Sequence, residues 1–204
     1  MLRLAETPIL TRRPGEGMAP TAHRLTRRCT RRNMRLALAV SDFAVLVDHL
    51  PAEGESMHIV TRGNQPLWAC VGAILVLARP ATIAELVVST LSANTTNAQD
   101  LFRKLDANDI GRVTFLASDV FAQKCPREHQ VLADGLGQRG QRYGVARTHA
   151  KILGARLTDG RCYTIESSAN CRSCRSIEQL TLASGEDLYE FHRGWIDRLV
   201  GGTQ

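Results

Sequence analysis

From Met57 to the C-terminus the chain keeps switching between two hydrophobic periods. A strand repeats every second residue and a helix every 3.6, so each switch marks a change of element. "MHIVTR" (57–62) reads as a short strand and "QPLWACVGAILVLARP" (65–80) as a helix stopped by Pro80. "IAELVVSTL" (83–91) is β-branched and suits a buried strand; "TTNAQDLFRKLDAND" (95–109) carries Thr and Asn start signals and reads as a helix. "RVTFLAS" (112–118) is a further strand, and "PREHQVLADGL" (126–136) a helix with Pro in its first turn. Two strands, 145–157 and 161–167, then flank a "TDG" turn, with a short helical turn expected after Asn170. "EQLTL" (178–182) alternates as a strand, and residues 185–200 close the chain as an amphipathic helix. Strands alternating with helices of this length imply an α/β fold: a mixed β-sheet flanked by helices on both faces.

Upstream of Met57 the chain is different. Residues 1–35 hold nine arginines against Glu6 and Glu16, a charge of +7, so residues 36–204 sum to −1 within a total of +6. The segment reads as a basic, disordered tail that touches phosphates or acidic lipid. A poorly ordered extension, with the working start at Met34 or Met57, is an equal alternative. Its Arg-rich, acid-poor composition also resembles a transit peptide, while the lack of a continuous apolar stretch argues against a secretory signal. "LALAVSDFAVLVDHL" (36–50) is apolar enough to pack as a helix, broken by "PAEGES" (51–56). The domain reading is therefore 1–35 tail, 36–56 helix and linker, 57–204 folded body. The longest apolar run, 68–78, is shorter than the roughly twenty residues a bilayer requires.

Six cysteines are present at 29, 70, 125, 162, 171 and 174. Nothing points to secretion, so the expectation is reduced thiols in a cytoplasmic protein. Cys171-x-x-Cys174 has no second pair at zinc-finger spacing. Cys162 and His192 are the residues that would complete a tetrahedral site, but the expectation is no metal and no cofactor.

The chemistry concentrates in "HAKILGARLTDGRCYTIESSAN" (149–170). If His149 and Lys151 lie on a strand, both face one side while Ala150 and Ile152 face the packed layer. A neighbouring ammonium disfavours the imidazolium, and a neutral imidazole is what a nucleophile or general base needs. In "SSAN" (167–170), Ser168 and Asn170 can donate to anionic oxygens, and Asn170 can cap the turn that follows. The hairpin would return this turn to the end of the sheet that holds residues 149–151. Between Arg139 and Arg175 eight basic residues face only Asp159 and Glu166, a local +6 that would focus positive potential there.

His149-x-Lys151, then Ser167-Ser168-Ala169-Asn170, then Glu178 resembles the phospholipase D superfamily, whose signature is H-x-K-x4-D followed by G-S/G-x-N. The likeness extends to the strand–helix order from about Met57 onward, and implies a phospholipase D-like half-domain. Two positions depart: Arg156 stands where the family has Asp, and Ser167 where it has Gly. The resemblance implies metal-independent phosphodiester chemistry. His149 would form a phosphohistidine, Lys151, Ser168 and Asn170 would stabilise charge on the equatorial oxygens, and Glu178 would orient an imidazole. One copy of the motif implies a homodimer, with one histidine from each subunit meeting at a two-fold axis.

Arg147, Arg172 and Arg175 are the candidate contacts to a polyanionic backbone. His192 reads as a packed helical histidine, with the substrate groove as its alternative; His49, His58 and His129 read as structural, and Trp68 and Trp195 as core. Three functions follow in order: a nuclease, with DNA favoured over RNA; a nucleic-acid-binding protein that has lost catalysis; and a phospholipid phosphodiesterase at a membrane surface.

Overall fold

The computed structural model describes residues 32–37, 47–62, 67–172 and 176–202. Eight strands form one mixed sheet: β1 (Arg32–Ala37), β2 (Ser56–Arg62), β3 (Ile83–Thr90), β4 (Ile110–Ser118), β5 (Arg142–Ala146), β6 (Ile152–Leu157), β7 (Cys162–Ser167) and β8 (Ile177–Ser184). Their spatial order is β1-β2-β8-β7-β6-β3-β4-β5. The β1–β2, β3–β4 and β4–β5 pairs are parallel, and the four pairs from β2 to β3 are antiparallel. Five helices are described: α1 (Ala69–Leu77), α2 (Thr95–Asp106), α3 (Asp119–Lys124), α4 (Pro126–Gly137) and α5 (Glu186–Gly201). None is long and apolar enough to cross a membrane.

Alternation along each strand divides the core in two. Leu86, Val88, Phe115, Ala117, Leu153, Ala155, Tyr163, Ile165, Leu180 and Leu182 face a large cluster completed by α1, α2 and α4. Val87, Leu116, Ile152 and Cys162 face the other way, onto Tyr189, Ile196 and Val200 of α5. Helices therefore cover both faces, as the periodicity predicts. Gly154 makes the α5 side possible: a Cβ there would lie 2.6 Å from Val87 and 3.1 Å from the Tyr189 ring. Local signals act where expected. The Asn94 side chain caps α2 by accepting from Asn97 N–H at 2.8 Å, and Gly160 closes the β6–β7 turn at φ +89°.

Two expectations are corrected, and one element is added. Residues 32–35 of the expected tail, with Leu36 and Ala37 of the expected helix, are edge strand β1; residues 1–31 and 38–46 lie outside the described residues. Residues 119–124, assigned to no element from the sequence, form α3, because Ser118 caps it by accepting from Val120 N–H. The single strand expected over 145–157 is two strands. β5 pairs parallel to β4 at the sheet edge, and β6 pairs with β3 two positions inward. Residues 147–151 must cross the ends of β4 and β3 to join them, about 14 Å at ordinary strand spacing. Six residue steps reach about 20 Å when extended and only about 9 Å as a helix, so the crossing cannot be helical.

Candidate active site

That crossing is where the motif sits. His149 and Lys151 are on the extended connection, and not on a strand, lying over the carboxyl ends of the parallel strands. In open α/β sheets this is the end at which ligands gather. Backbone bonds fix the connection in place. Ser89, near the end of β3, donates its hydroxyl to Ala150 C=O at 3.3 Å, and Ser167 N–H donates to Lys151 C=O at 3.1 Å. The second bond extends the β6–β7 ladder by one step. The small-residue turn is anchored in turn. Ser168 N–H donates to Gln179 C=O at 2.9 Å, and Gln179 N–H donates to Ser168 Oγ at 3.0 Å. Asn170 C=O accepts from Leu67 N–H at 2.9 Å, and Cys171 N–H donates to Thr90 Oγ1 at 3.1 Å. The Asn97 side-chain amide donates to Cys171 C=O. The ends of β3, β6, β7 and β8 and the starts of α1 and α2 thus meet around one polar patch.

The charges within it are arranged closely. Lys151 is 7% exposed, while His149 is exposed. Lys151 Nζ donates to His149 Nδ1 at 2.9 Å and to His149 C=O at 2.8 Å. Burial lowers the Lys151 pKa from its ordinary value, and the Glu178 carboxylate opposes that shift. An ammonium donating to Nδ1 leaves the neutral imidazole with its proton on Nε2. Glu178 accepts the Ser168 hydroxyl proton. Within one chain the carboxylate is therefore bonded to the serine, not to His149. Asn170 Oδ1 is buried and has no hydrogen-bond partner among the described residues, so it accepts no cap bond from the following turn.

Other candidates lie apart. Arg147 and Arg172 are exposed at this end, and Arg175 lies outside the described residues. The basic run in the sequence is not a patch in space. Arg139 pairs with Asp106, Arg142 with Asp197, Arg156 with Glu186 and Glu190, and Arg161 with Asp159. Arg156, Arg161 and Arg142 sit at the opposite end of their strands or hairpin. Arg156 also lies 4.9 Å from the Tyr189 ring centroid, on the α5 face. The residue that departs from the family pattern thus ties α5 to the sheet and stays clear of the site.

His192 is 6% exposed; its Nε2 bonds Glu166 at 2.9 Å and its Nδ1 accepts from Trp195 at 3.0 Å. Glu166 faces away from Ser167, so His192 is a packed histidine on the α5 side. Cys162 belongs to the α5 cluster and Cys171 to the other, and Cys174 is outside the described residues. Among the described residues no group of three His, Cys, Asp or Glu is placed to hold a metal ion. An open concavity of about 520 Å³ lined by Arg79, Pro80, Thr82 and Asp109 lies at the far end of β3, away from His149 and Lys151. Sequence reasoning missed Thr90 and Asn97, which clamp the turn after Asn170; both act through contacts more than seventy residues apart, which no local spacing reveals.

No known family's sequence profile matches this chain, and no curated protein matches it in sequence. Solved structures do. The phospholipase D family member Nuc from Salmonella typhimurium superposes with a TM-score of 0.52 at 10% identity, covering 72% of this chain and 97% of that one. Polyphosphate kinase from Porphyromonas gingivalis superposes with a TM-score of 0.52 at 13% identity, over 73% of this chain and 26% of that one. Identities this low speak for the fold alone. The chain shares its fold with the phospholipase D family member Nuc, and its His149-x-Lys151 stretch lies across the carboxyl ends of the parallel strands.

Proposed function

We propose that this protein is a metal-independent phosphodiesterase, a nuclease acting on DNA in preference to RNA, that works through a covalent phosphohistidine at a homodimer interface. One observation carries the reading. An exposed imidazole, a buried ammonium and the Ser168–Glu178 pair share one end of the sheet, in a fold held in common with the phospholipase D family member Nuc.

The chemistry follows from those contacts. A phosphodiester binding over the patch offers Lys151 a better acceptor than a neutral nitrogen. The ammonium turns to the phosphoryl oxygens, and Nδ1 of His149 is released. With the ring proton on Nδ1, the Nε2 lone pair attacks phosphorus. The N–P bond forms as the P–O bond to the leaving strand breaks, and the leaving oxygen takes a proton from His149 of a second copy. Water then attacks phosphorus and gives its proton to that second histidine. The N–P bond breaks and the first imidazole is restored. Lys151 and Asn170 face the equatorial oxygens throughout, where charge builds. Glu178, released by Ser168, takes an imidazole N–H in this scheme.

A second reading is a nucleic-acid-binding protein without catalysis. Lys151 is spent on His149 and Ser168 on Glu178, so the patch satisfies itself in the absence of substrate. Under this reading binding falls steeply with salt and no product forms. Cleavage of DNA, RNA and phosphatidylcholine vesicles in EDTA, with wild type and His149→Asn in parallel, separates the readings. The nuclease predicts DNA products from wild type and none from the variant. Binding without products would favour the second reading, and choline release without nucleotide products would make it a lipid enzyme.

A further inference from the structure

Strand β3 ends on a buried hydroxyl. Leu86 and Val88 of its inward stripe join the larger apolar cluster, and Thr90 continues that stripe at 0% exposure. Thr90 Oγ1 donates to Ser92 C=O at 3.0 Å and accepts from Cys171 N–H at 3.1 Å. From α2, the Asn97 side-chain amide donates to Cys171 C=O. Asn97 is itself fixed, because its N–H donates to the Asn94 side chain at 2.8 Å. Both backbone groups of Cys171 are therefore held by side chains of two other elements. On the near side of the same turn, Asn170 C=O accepts from Leu67 N–H and Ala169 N–H donates to Ser167 Oγ, each at 2.9 Å.

Asn170 thus sits on a backbone pinned before and after it, and its side chain is left short. Asn170 Oδ1 is buried and accepts no hydrogen bond among the described residues. A buried acceptor without a donor is destabilising, so a turn free to adjust would move until that oxygen was paired. The clamp on Cys171 prevents the adjustment. Satisfying the Cys171 backbone is reason enough for Thr90 and Asn97 to be polar, but it gives no reason for the unpaired oxygen beside it. Groups held in an unfavourable state by an over-determined surrounding gather where function requires them. This one lies in the turn whose Ser167 N–H bonds Lys151 C=O at 3.1 Å.

We infer that Thr90 and Asn97 are positioning residues, which act through the Cys171 backbone to hold the Asn170 amide ready to donate to a phosphoryl oxygen. Neither touches the substrate. The inference rests on the role given to Asn170 under Proposed function and names what keeps that amide in place.

The test uses the full chain and two readouts. The first is the side-chain amide signal of Asn170 in ¹⁵N-resolved NMR, identified by its absence in Asn170→Ala and followed during titration with inorganic phosphate. In wild type and in Thr90→Ser, which keeps the hydroxyl, the signal should move and saturate. Thr90→Val and Asn97→Leu should raise the dissociation constant read at that signal at least about 10-fold. The second readout is DNA cleavage in EDTA. Thr90→Val and Asn97→Leu should each lower kcat/KM about 30-fold or more, and Thr90→Ser should stay within about threefold of wild type. In an Asn170→Ala background the same substitutions should cost less than about threefold, because the group they hold is gone. If Thr90→Val, in the core, does not fold, the half-buried Asn97→Leu carries both readouts. Equal losses in the two backgrounds would make the clamp merely structural and overturn the inference. So would phosphate that leaves the wild-type Asn170 signal unmoved. Phosphate shifts that depend on the clamp, in a protein that cleaves no DNA, would sink the catalytic reading and leave the clamp standing.

Discussion

At the scale of single residues, Lys151 is where the proposed chemistry and stability pull in opposite directions. Its ammonium is buried and desolvated, and its pKa is lowered accordingly. Lys151→Met removes a charge that folding must dehydrate. The unfolding temperature of that variant should therefore not fall, while phosphodiester cleavage should drop by about 100-fold or more for want of a cation on the phosphoryl oxygens. Calorimetry and a cleavage assay on the same preparation measure both. An equal loss of stability and activity would make Lys151 a structural residue. Asp100 is the contrasting case. Burial alone would raise its pKa, but hydrogen bonds from Lys104 and from Trp68, each at 2.8 Å, overcome that and hold it below the usual carboxylate value. A depressed folded pKa contributes stability above the unfolded value, and that stability is lost as pH falls through the folded one. Asp100→Asn should therefore cost about 1 kcal/mol at neutral pH, with the gap from wild type closing below about pH 4. Urea melts at pH 7 and pH 3 check this.

At the scale of elements, α5 depends on charge as well as on its apolar stripe. Arg156 joins Glu186, Glu190 and the Tyr189 ring, and Tyr189 OH donates to Glu85 on β3. The Asp of the family pattern at this position would face two carboxylates. Arg156→Asp should therefore destabilise the chain by about 2 kcal/mol or more without raising cleavage per folded molecule. A gain in activity from that substitution would show that the position does reach the site. Most elements were legible because their local and long-range demands agree: the Asn94 cap, the β-branched run of β3 and the Gly160 turn each point to the structure that forms. The failures have one physical source. β5, the crossing and β6 read as one continuous strand, because composition there does not change; only their different partners, β4 and β3, break it in two. Strand β1, arginine-rich at its start, was hidden for the same reason: its partner is β2, far along the chain.

At the scale of the whole molecule, the account rests on a sheet whose carboxyl-end edge gathers His149, Lys151, Ser168 and Glu178. The meeting of these groups was readable from spacing, because a hairpin of known length must return the second half of the motif beside the first. Their bonding was not: that Lys151 turns to His149 and Ser168 to Glu178 depends on geometry below the resolution of sequence. The sequence also overstated the electropositive field, since four of the eight basic residues between Arg139 and Arg175 are spent in ion pairs. Internally ³²P-labelled DNA incubated with the full chain in EDTA, quenched during turnover and digested, tests the central claim most directly. The account predicts label bound to the peptide containing His149, through an acid-labile, base-stable bond, and none on His149→Asn. Products that accumulate with no label on the protein, at equal rates in wild type and His149→Asn, would contradict it.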